Sequence, residues 1–509
     1  MRGEMMEHDV AVSNDEVSAA PQGWATVAMP DVVELNPGKP PADGLPADAL
    51  VSFVPMAAVD DQTGAITGAA TRRFGQVRKG YTAFRDGDVI MAKITPCMEN
   101  GKAAVAHGLT NGLGFGSTEF HVFRSHGAVL PEYIYHYVRR ESFRRSAAAQ
   151  MTGSVGQKRV PRTFLEEVEF NLPPLAEQLR IVAEIEAIFE MLTSCRERLE
   201  RVPAILRRFR QSVLAAACSG RLTEDWRVRN SSIPPMAVRL HENRSLPARP
   251  RSRRTRHVVP PVPDANSLPE IPNTWAWAWL PDLGELNRGK SRHRPRNDPR
   301  LYGGPFPFVQ TGDIARSGGR VVSHSQTYNQ AGLAQSRLWP AGTVCITIAA
   351  NIAESAILTY PACFPDSVVG LLADPETCLP EYVEFFVRTA RSDLAQYAPA
   401  TAQSNINLEI LRQVAVPLPP VEEQREIVGR VGTLLDCASV AEQRALASGV
   451  CVAKLTESVL AKAFRGELVP AEAELAAAEG RPFESAEDLL ARVVAARSPG
   501  KARRRERKS

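Results

Sequence analysis

No apolar run in the 509 residues approaches the ~20 needed to cross a bilayer. The opening stretch, Met1 to Ala20, is polar and acidic and carries no apolar leader, so the sequence predicts a cytoplasmic protein. Cysteine is sparse and unpatterned. The eight cysteines form no C-x-x-C pair and no Cys/His cluster at zinc spacing, which disfavours a disulfide scaffold and a structural metal and points to free thiols. Catalytic motifs are missing too. Amino-methyltransferases acting on adenine use [DNS]-P-P-[YFW] to hold the target amine, and none of the five Pro-Pro pairs, at 40, 173, 234, 260 and 419, fits it. Pro30-Asp31 lacks the downstream acid-x-lysine of a nuclease site, and no His/Ser/Asp set stands out. Gly112-Leu-Gly-Phe-Gly116 is a lone glycine cluster, too little to define a cofactor loop.

Charge of one sign is lacking in the body of the chain. The net charge is +4, yet Arg249–His257 and Lys501–Ser509 each carry +5, leaving the remainder at −6. Any nucleic-acid surface on the folded parts must therefore be a local patch. The two basic runs read as a solvated linker and tail, or as non-specific phosphate contacts.

What the chain does have is a repeat, and repeats decide architecture. Leu172-Pro-Pro-Leu-Ala-Glu-Gln-Leu-Arg-Ile-Val182 returns as Leu418-Pro-Pro-Val-Glu-Glu-Gln-Arg-Glu-Ile-Val428, an offset of 246. The same offset carries Gln157 onto Gln403, Leu165 onto Leu411, Ser212-Val-Leu-Ala215 onto Ser458-Val-Leu-Ala461, and Gly220 onto Gly466. A fainter echo precedes each block. Pro21-Gln-Gly-Trp24 answers Pro272-Asn-Thr-Trp275, and Glu34-Leu-Asn36 answers Glu285-Leu-Asn287, both at 251. Leu130-Pro-Glu-Tyr133 answers Leu379-Pro-Glu-Tyr382 at 249. The drifting offset means insertions and deletions inside a shared fold. The helical parts are close copies and the globular parts have diverged, which suggests one task done twice and two tasks done once each.

From Ile181 the first block runs in alternating four- and three-residue steps through Ile185, Ile188, Leu192, Cys195, Leu199, Val202, Leu206, Phe209 and Val213. That is a heptad seam, the pattern of a coiled coil. Pro173-Pro174 bars an earlier start, Gly220 marks the end, and Pro203 predicts a kink. The second seam is Ile427, Val431, Leu434, Ala438, Ala441, Ala445, Ser448, Val452, Leu455 and Val459. Its small middle suits an antiparallel pairing about the helix centres, with Leu199 near Ala441 and Val202 near Ala438. The alternative is that each seam packs only on its own globe. On its seam Cys195 is expected to be a buried structural thiol.

Short β-rich runs, such as Asp88-Val-Ile-Met91 and Thr343-Val-Cys-Ile-Thr347, predict two mixed α/β globes, each closing on a helix near its Leu-Pro-Glu-Tyr motif. Gly284-Glu-Leu-Asn-Arg-Gly-Lys-Ser291 matches a phosphate-binding loop formally. That loop must open a helix, and Arg292-His-Arg-Pro-Arg-Asn-Asp-Pro299 follows instead. Since the first copy has Glu34-Leu-Asn-Pro-Gly-Lys39, a turn of the repeated fold is the better account.

Four stretches carry a family resemblance: Thr401-Ala-Gln-Ser-Asn-Ile-Asn-Leu408 running into Leu418-Pro-Pro-Val-Glu-Glu-Gln424, its counterpart from Gln157 to Gln178, and the helix exits Ser219–Trp226 and Ala463–Pro470. With a diverged globe before each near-constant helix, the chain resembles the DNA-specificity subunits of type I restriction–modification systems. Lys158-Arg-Val-Pro161 departs from Ser404-Asn-Ile-Asn407 of the second copy, and Pro203 interrupts the first helix. The resemblance implies an α/β protein: two target-recognition domains joined by an intramolecular antiparallel pair of coiled-coil helices with pseudo-twofold symmetry. The expected plan is an N-terminal segment 1–20, recognition domain 21–163, helix 164–222, basic linker 223–270, recognition domain 271–409, helix 410–470 and basic tail 471–509. It further implies a non-catalytic reader of split, asymmetric double-stranded DNA. Two methyltransferase subunits and two restriction–translocase subunits would be partners, holding S-adenosylmethionine and ATP, with no cofactor on this chain. Base-reading residues do not carry over between such domains. The candidates are basic side chains in loop-like stretches: Arg72, Arg73, Lys79, Lys93 and Lys102 in the first globe, and Arg292, Arg294, Arg296, Arg316 and Arg320 in the second. The competing classes are a coiled-coil scaffold without DNA binding, which would not need two diverged globes, and a single-chain restriction–methylation enzyme, which would need the absent motif.

Overall fold

A computed structural model describes residues 20–39, 45–154, 156–245, 268–293, 295, 298–348, 354–390 and 407–497. The chain divides into two compact units, residues 1–199 with 447–509, and residues 200–446. Among the described residues no helix is long and apolar enough to cross a membrane.

In the first unit β1 (Ala25–Ala28), β2 (Val33–Leu35), β3 (Leu50–Val54), β4 (Ala70–Arg73), β5 (Thr82–Arg85), β6 (Val89–Ala92), β7 (Ala103–Val105), β8 (Leu113–Gly116), β9 (Phe120–Ser125) and β10 (Glu169–Leu172) form three sheets. One is the β1–β10 ladder, one has the order β2-β9-β6-β7, and one the order β4-β3-β8-β5. The second unit contributes β11 (Ala276–Trp279), β12 (Gly284–Arg288), β13 (Tyr302–Phe308), β14 (Arg320–Val321), β15 (Gln326–Tyr328), β16 (Val344–Thr347), β17 (Ser355–Leu358), β18 (Val368–Ala373) and β19 (Ala415–Leu418). They form the β11–β19 ladder, a sheet ordered β12-β18-β16-β17-β14, and a β13–β15 pair.

Two of these sheets are the sequence repeat made visible. Ala25 pairs with Leu172 and Ala276 with Leu418, the same register at offsets of 251 and 246. The order β2-β9-β6-β7 matches β12-β18-β16-β17 strand for strand. Among the described residues the third sheet is not repeated. Four strands, β4-β3-β8-β5, stand in the first unit where the second has the β13–β15 pair. Divergence is thus concentrated in one layer of each globe, over a core both share.

The prolines of Leu-Pro-Pro lack the amide proton a helix would use, and each long helix begins just past them. The first spans Leu175–Cys218 and the second Val421–Phe464, 44 residues each. Pro203 lies inside the first, which continues through it as a single helix. In the first unit Ile181, Val182 and Ile185 share a core with Val459, Leu460, Ala463 and Phe464. In the second, Val213, Leu214 and Ala217 share one with Ile427 and Val431. Early residues of one helix meet late residues of the other, so the pair is antiparallel. Each buried aliphatic side chain contributes about 1.5–3 kcal/mol.

Three expectations about the seams need correction. Pairing about the helix centres would put Arg210 beside Arg430, but Arg210 donates to Glu442 at 2.7 Å. Twelve residues separate the two, about 18 Å of helix, so the register is displaced toward the C-terminal end of the second helix. In the first unit the same shift sets Phe189, Leu192 and Thr193 around a cleft with Thr456 and Leu460. Second, Ala441, Ser448 and Leu455 are exposed, while Glu442 and Thr456, one residue on, are half-buried. At Ala441 and Leu455 the more covered place is thus taken by the following residue, whereas Ser448 and Gly449 are both exposed. Third, Cys195 is exposed and not a buried thiol.

Candidate functional site

Each globe is joined to the helices through the repeated residues. Glu177, fully buried in the first turn of the first helix, accepts the indole N–H of Trp24 at 2.9 Å and the backbone N–H of Glu472 at 2.8 Å. Burial pushes its carboxyl up, against the pull of those two donors. Glu423 holds the same position in the second copy. It accepts the Trp275 indole at 2.9 Å, the Thr223 hydroxyl at 2.7 Å and the Arg227 guanidinium at 2.7 Å. One carboxylate thus gathers its own globe, its own helix and the segment leaving the other helix. Hydrogen bonds to charged groups in such places contribute about 1.5–3 kcal/mol each.

The next residue clamps the helix that follows the core sheet. Gln178 Nε2 donates to the carbonyls of Ala128 and Pro173, and its Oε1 accepts from Leu130 N–H, all at 2.9 Å. Gln424 repeats this on Thr377, Pro419 and Leu379. Tyr133 donates to the Asn171 carbonyl and Tyr382 to that of Pro417, again equivalent positions. The helix exits are matched as well. Gly220 and Gly466 have φ of +79° and +75°, and a Cβ would strike Pro272 in the first case and Pro21 in the second. Only glycine meets both the left-handed backbone and the close approach. Sequence comparison marks Trp24, Tyr133, Glu177, Gln178 and Gly220 as repeated but assigns them no task, because the partners lie far apart in the chain. The available signal was that both partners of a contact recur, Trp24 as Trp275 at an offset of 251 and Glu177 as Glu423 at 246.

The described basic candidates divide between the unshared layers and the shared sheets. Arg72 and Arg73 end β4, an edge strand exposed along its whole length. The Arg72 guanidinium lies 3.7 Å above the Phe53 ring, which meets Tyr81 edge-on at 4.9 Å. Lys79 is exposed in the turn before β5, so these three candidates belong to one sheet. Lys93 and Lys102 instead flank the β6–β7 connection of the shared sheet, and Lys102 donates to the Met56 carbonyl at 3.3 Å. In the second globe Arg292 is exposed ahead of β13, while Arg294 and Arg296 lie outside the described residues. Arg316 pairs with Asp313 at 2.8 Å and Arg320 with Glu381 at 3.0 Å. The partly exposed Arg320–Glu381 pair is worth no more than about 1 kcal/mol, whereas Asp313 is buried and also accepts from the Gln310 amide and the Ser325 hydroxyl. The motif Thr401–Ile406 also lies outside the described residues, whereas Asn407 caps the helix Leu408–Leu411 through the Ile410 amide.

The formal phosphate-loop match is a strand. Gly284–Arg288 is β12, and among the described residues no α-helix opens directly after Lys290, residues 291–293 being non-helical. A Cβ on Gly289 would lie 2.3 Å from the Pro365 carbonyl oxygen, so backbone packing accounts for this glycine. Among the described residues no His/Cys/Asp/Glu group could hold a metal.

Comparison with known proteins gives consistent matches. The family model described as type I restriction modification DNA specificity domain matches residues 21–203 and again 272–445. The type I restriction enzyme EcoEI specificity subunit of Escherichia coli is 24% identical over 89% of this chain and 84% of its own length. The EcoAI specificity subunit of Escherichia coli is 38% identical over a shorter stretch, 36% of this chain and 30% of that one. The crystal structure of the HsdS subunit from Thermoanaerobacter tengcongensis superposes with a TM-score of 0.63 at 20% identity, over 89% of this chain and 99% of that one. A chain from a structure of the type I R-M system gives 0.62, also at 20% identity, over 89% and 100%.

Proposed function

The chain belongs to the type I restriction–modification DNA specificity family, and from that membership we propose that it reads a split, asymmetric DNA site, one half with each globe. One observation carries the reading furthest. Both globes share the β1–β10 type ladder, the four-stranded core sheet and the carboxylate junction, and differ in the remaining layer. A protein that docks the same way twice but recognises two different sequences needs that division. The exposed edge strand with Arg72 and Arg73, the turn with Lys79, and the segment with Arg292 before β13 supply guanidinium and ammonium groups suited to guanine edges and phosphates. Lys93, Lys102, Arg316 and Arg320, with Arg294 and Arg296, complete the candidate set.

The chain is the addressing component; the chemistry belongs to its partners. The two long helices expose Met191, Ile205, Leu446, Val450 and Leu455, a supply of apolar surface suited to partner subunits. Because the helix-and-globe motif occurs twice, two methyltransferase subunits and two restriction–translocase subunits fit it. S-adenosylmethionine and ATP would be bound by those partners, in the cytoplasm, with no cofactor on this chain.

Co-expression with the neighbouring methyltransferase subunit, followed by long-read mapping of methylated adenines, tests the proposal. The expected result is N6-methylation within a sequence of two defined halves and a gap of constant length, dependent on this chain. The purified chain alone should transfer no labelled methyl group. Incorporation without a partner, or methylation with no sequence preference, would overturn the reading.

A further inference from the structure

Nothing in the addressing role requires the junction carboxylates to do more than hold the fold, yet their surroundings suggest a second task. Glu177 and Glu423 are buried at a place in each unit where three parts of the chain converge. In the first unit these are the start of the globe through Trp24, the first turn of the first helix, and the Glu472 amide past the end of the second helix. Glu472 is fixed in turn by Arg180 and Arg481, each at 2.6 Å. In the second unit they are Trp275, the first turn of the second helix, and Thr223 with Arg227 past the end of the first. The Arg227 guanidinium also faces the Trp275 ring at 5.9 Å. A carboxylate that bonds donors from two other segments restricts how a globe can turn on its helix, because hydrogen bonds weaken steeply away from linearity. Apolar contacts around it resist separation but tolerate rotation, being non-directional.

We propose that Glu177 and Glu423 are positioning residues that set the orientation of each reading globe on the paired helices, and through it the gap length that the protein accepts. This rests on the bipartite reading above. The two junctions are built differently. Neutral donors satisfy Glu177, whereas a guanidinium bonds Glu423 directly. Each therefore governs its own globe and can be loosened separately. Glu423→Gln keeps an acceptor for the indole but turns an amide N–H₂ toward Thr223 and Arg227, which are themselves donors. Trp275→Phe removes only the indole N–H and leaves the ring in the core. Glu177→Gln and Trp24→Phe do the same for the first globe.

The test uses the full chain co-expressed with its methyltransferase partner, on a DNA library holding both half-sites with the gap at its native length and one base pair shorter or longer. Losing one directional bond should raise methylation of the altered gaps relative to the native gap by roughly tenfold, as expected for about 1.4 kcal/mol of discrimination. The bases read in each half should not change. A purely structural role predicts an equal loss on all gaps, or no change, and either result overturns the proposal. Should Glu423→Gln fail to assemble, Trp275→Phe decides by the same ratio. If the unaltered complex methylates no split site, the addressing reading itself fails. If it does and all four variants keep its gap preference, only the positioning role fails.

Discussion

Glu384 shows how a repeated residue position can be reused. It occupies the place of Tyr135, and each is held by the arginine four residues later, Arg388 and Arg139. Glu384 is buried on the helix Pro380–Ala390, bonded to Arg388 Nη2 at 2.7 Å and near the Ser355 hydroxyl at 3.4 Å. Burial pushes its carboxyl up to about 7, against the pull of Arg388 and Arg320. Its native value is raised, so the folded state holds a proton that the unfolded chain releases, and the second unit loses stability as pH rises from about 4.5 through about 7. Glu384→Gln should flatten that slope. In urea melts the wild-type protein should fall relative to the variant between pH 5 and 8, by about 1.4 kcal/mol for each pH unit separating the two values. Parallel curves would show that Glu384 stays ionised. Lys290 makes a simpler case. It follows a strand, and the described residues 291–293 after it are not helical, so Lys290→Ala should leave ATP binding unchanged from wild type, with none detected by calorimetry. Saturable binding lost with this lysine would restore the phosphate-loop reading.

At the scale of elements, the start and stop of each long helix were legible because proline and glycine act locally. The register was not. The middle of the second helix is rich in Ala, Ser and Gly, and side chains this small bury little apolar surface, so Glu442 and Thr456 come to be more covered than Ala441 and Leu455. The choice fell to groups distant in sequence: Arg210 reaching Glu442, and each helix exit docking on the other copy's carboxylate. Cys195 is exposed for a related reason, since a two-stranded pair covers only the side facing its partner. A length prediction follows. Seven residues inserted into both helices keep the heptads in phase and add about 10 Å, so the accepted gap should lengthen or assembly should fail. The same insertion into one helix should prevent folding, because both ends of each helix are docked against the other. Soluble, cooperatively melting protein from a single insertion would refute the closed arrangement.

For the whole molecule, independence of the two readers is the property to measure. Each globe carries its own core sheet and its own divergent layer, so replacing residues 271–409 with the matching domain of a relative should rewrite one half of the methylated sequence. The half read by residues 21–163 and the gap should survive, provided the graft keeps Trp275 and the groups around Glu423. Methylome mapping reads this directly. A swap that changed both halves would end the two-headed model.

Duplication, fold class and helix limits were determined by the sequence itself, and the addressing role followed from the family that those features resemble. Repeats, periodicity and the punctuation of proline and glycine are local or self-referential signals, which need no knowledge of what touches what. Tertiary structure alone decided that Trp24 and Glu177, 153 residues apart, bond to each other, that Glu472 closes the first junction, and that the helices pair off-centre. It also decided which layer of each globe diverges. These depend on directional contacts between distant segments, where a shift of one residue turns a side chain from the core to solvent without altering the apolar pattern that the sequence displays.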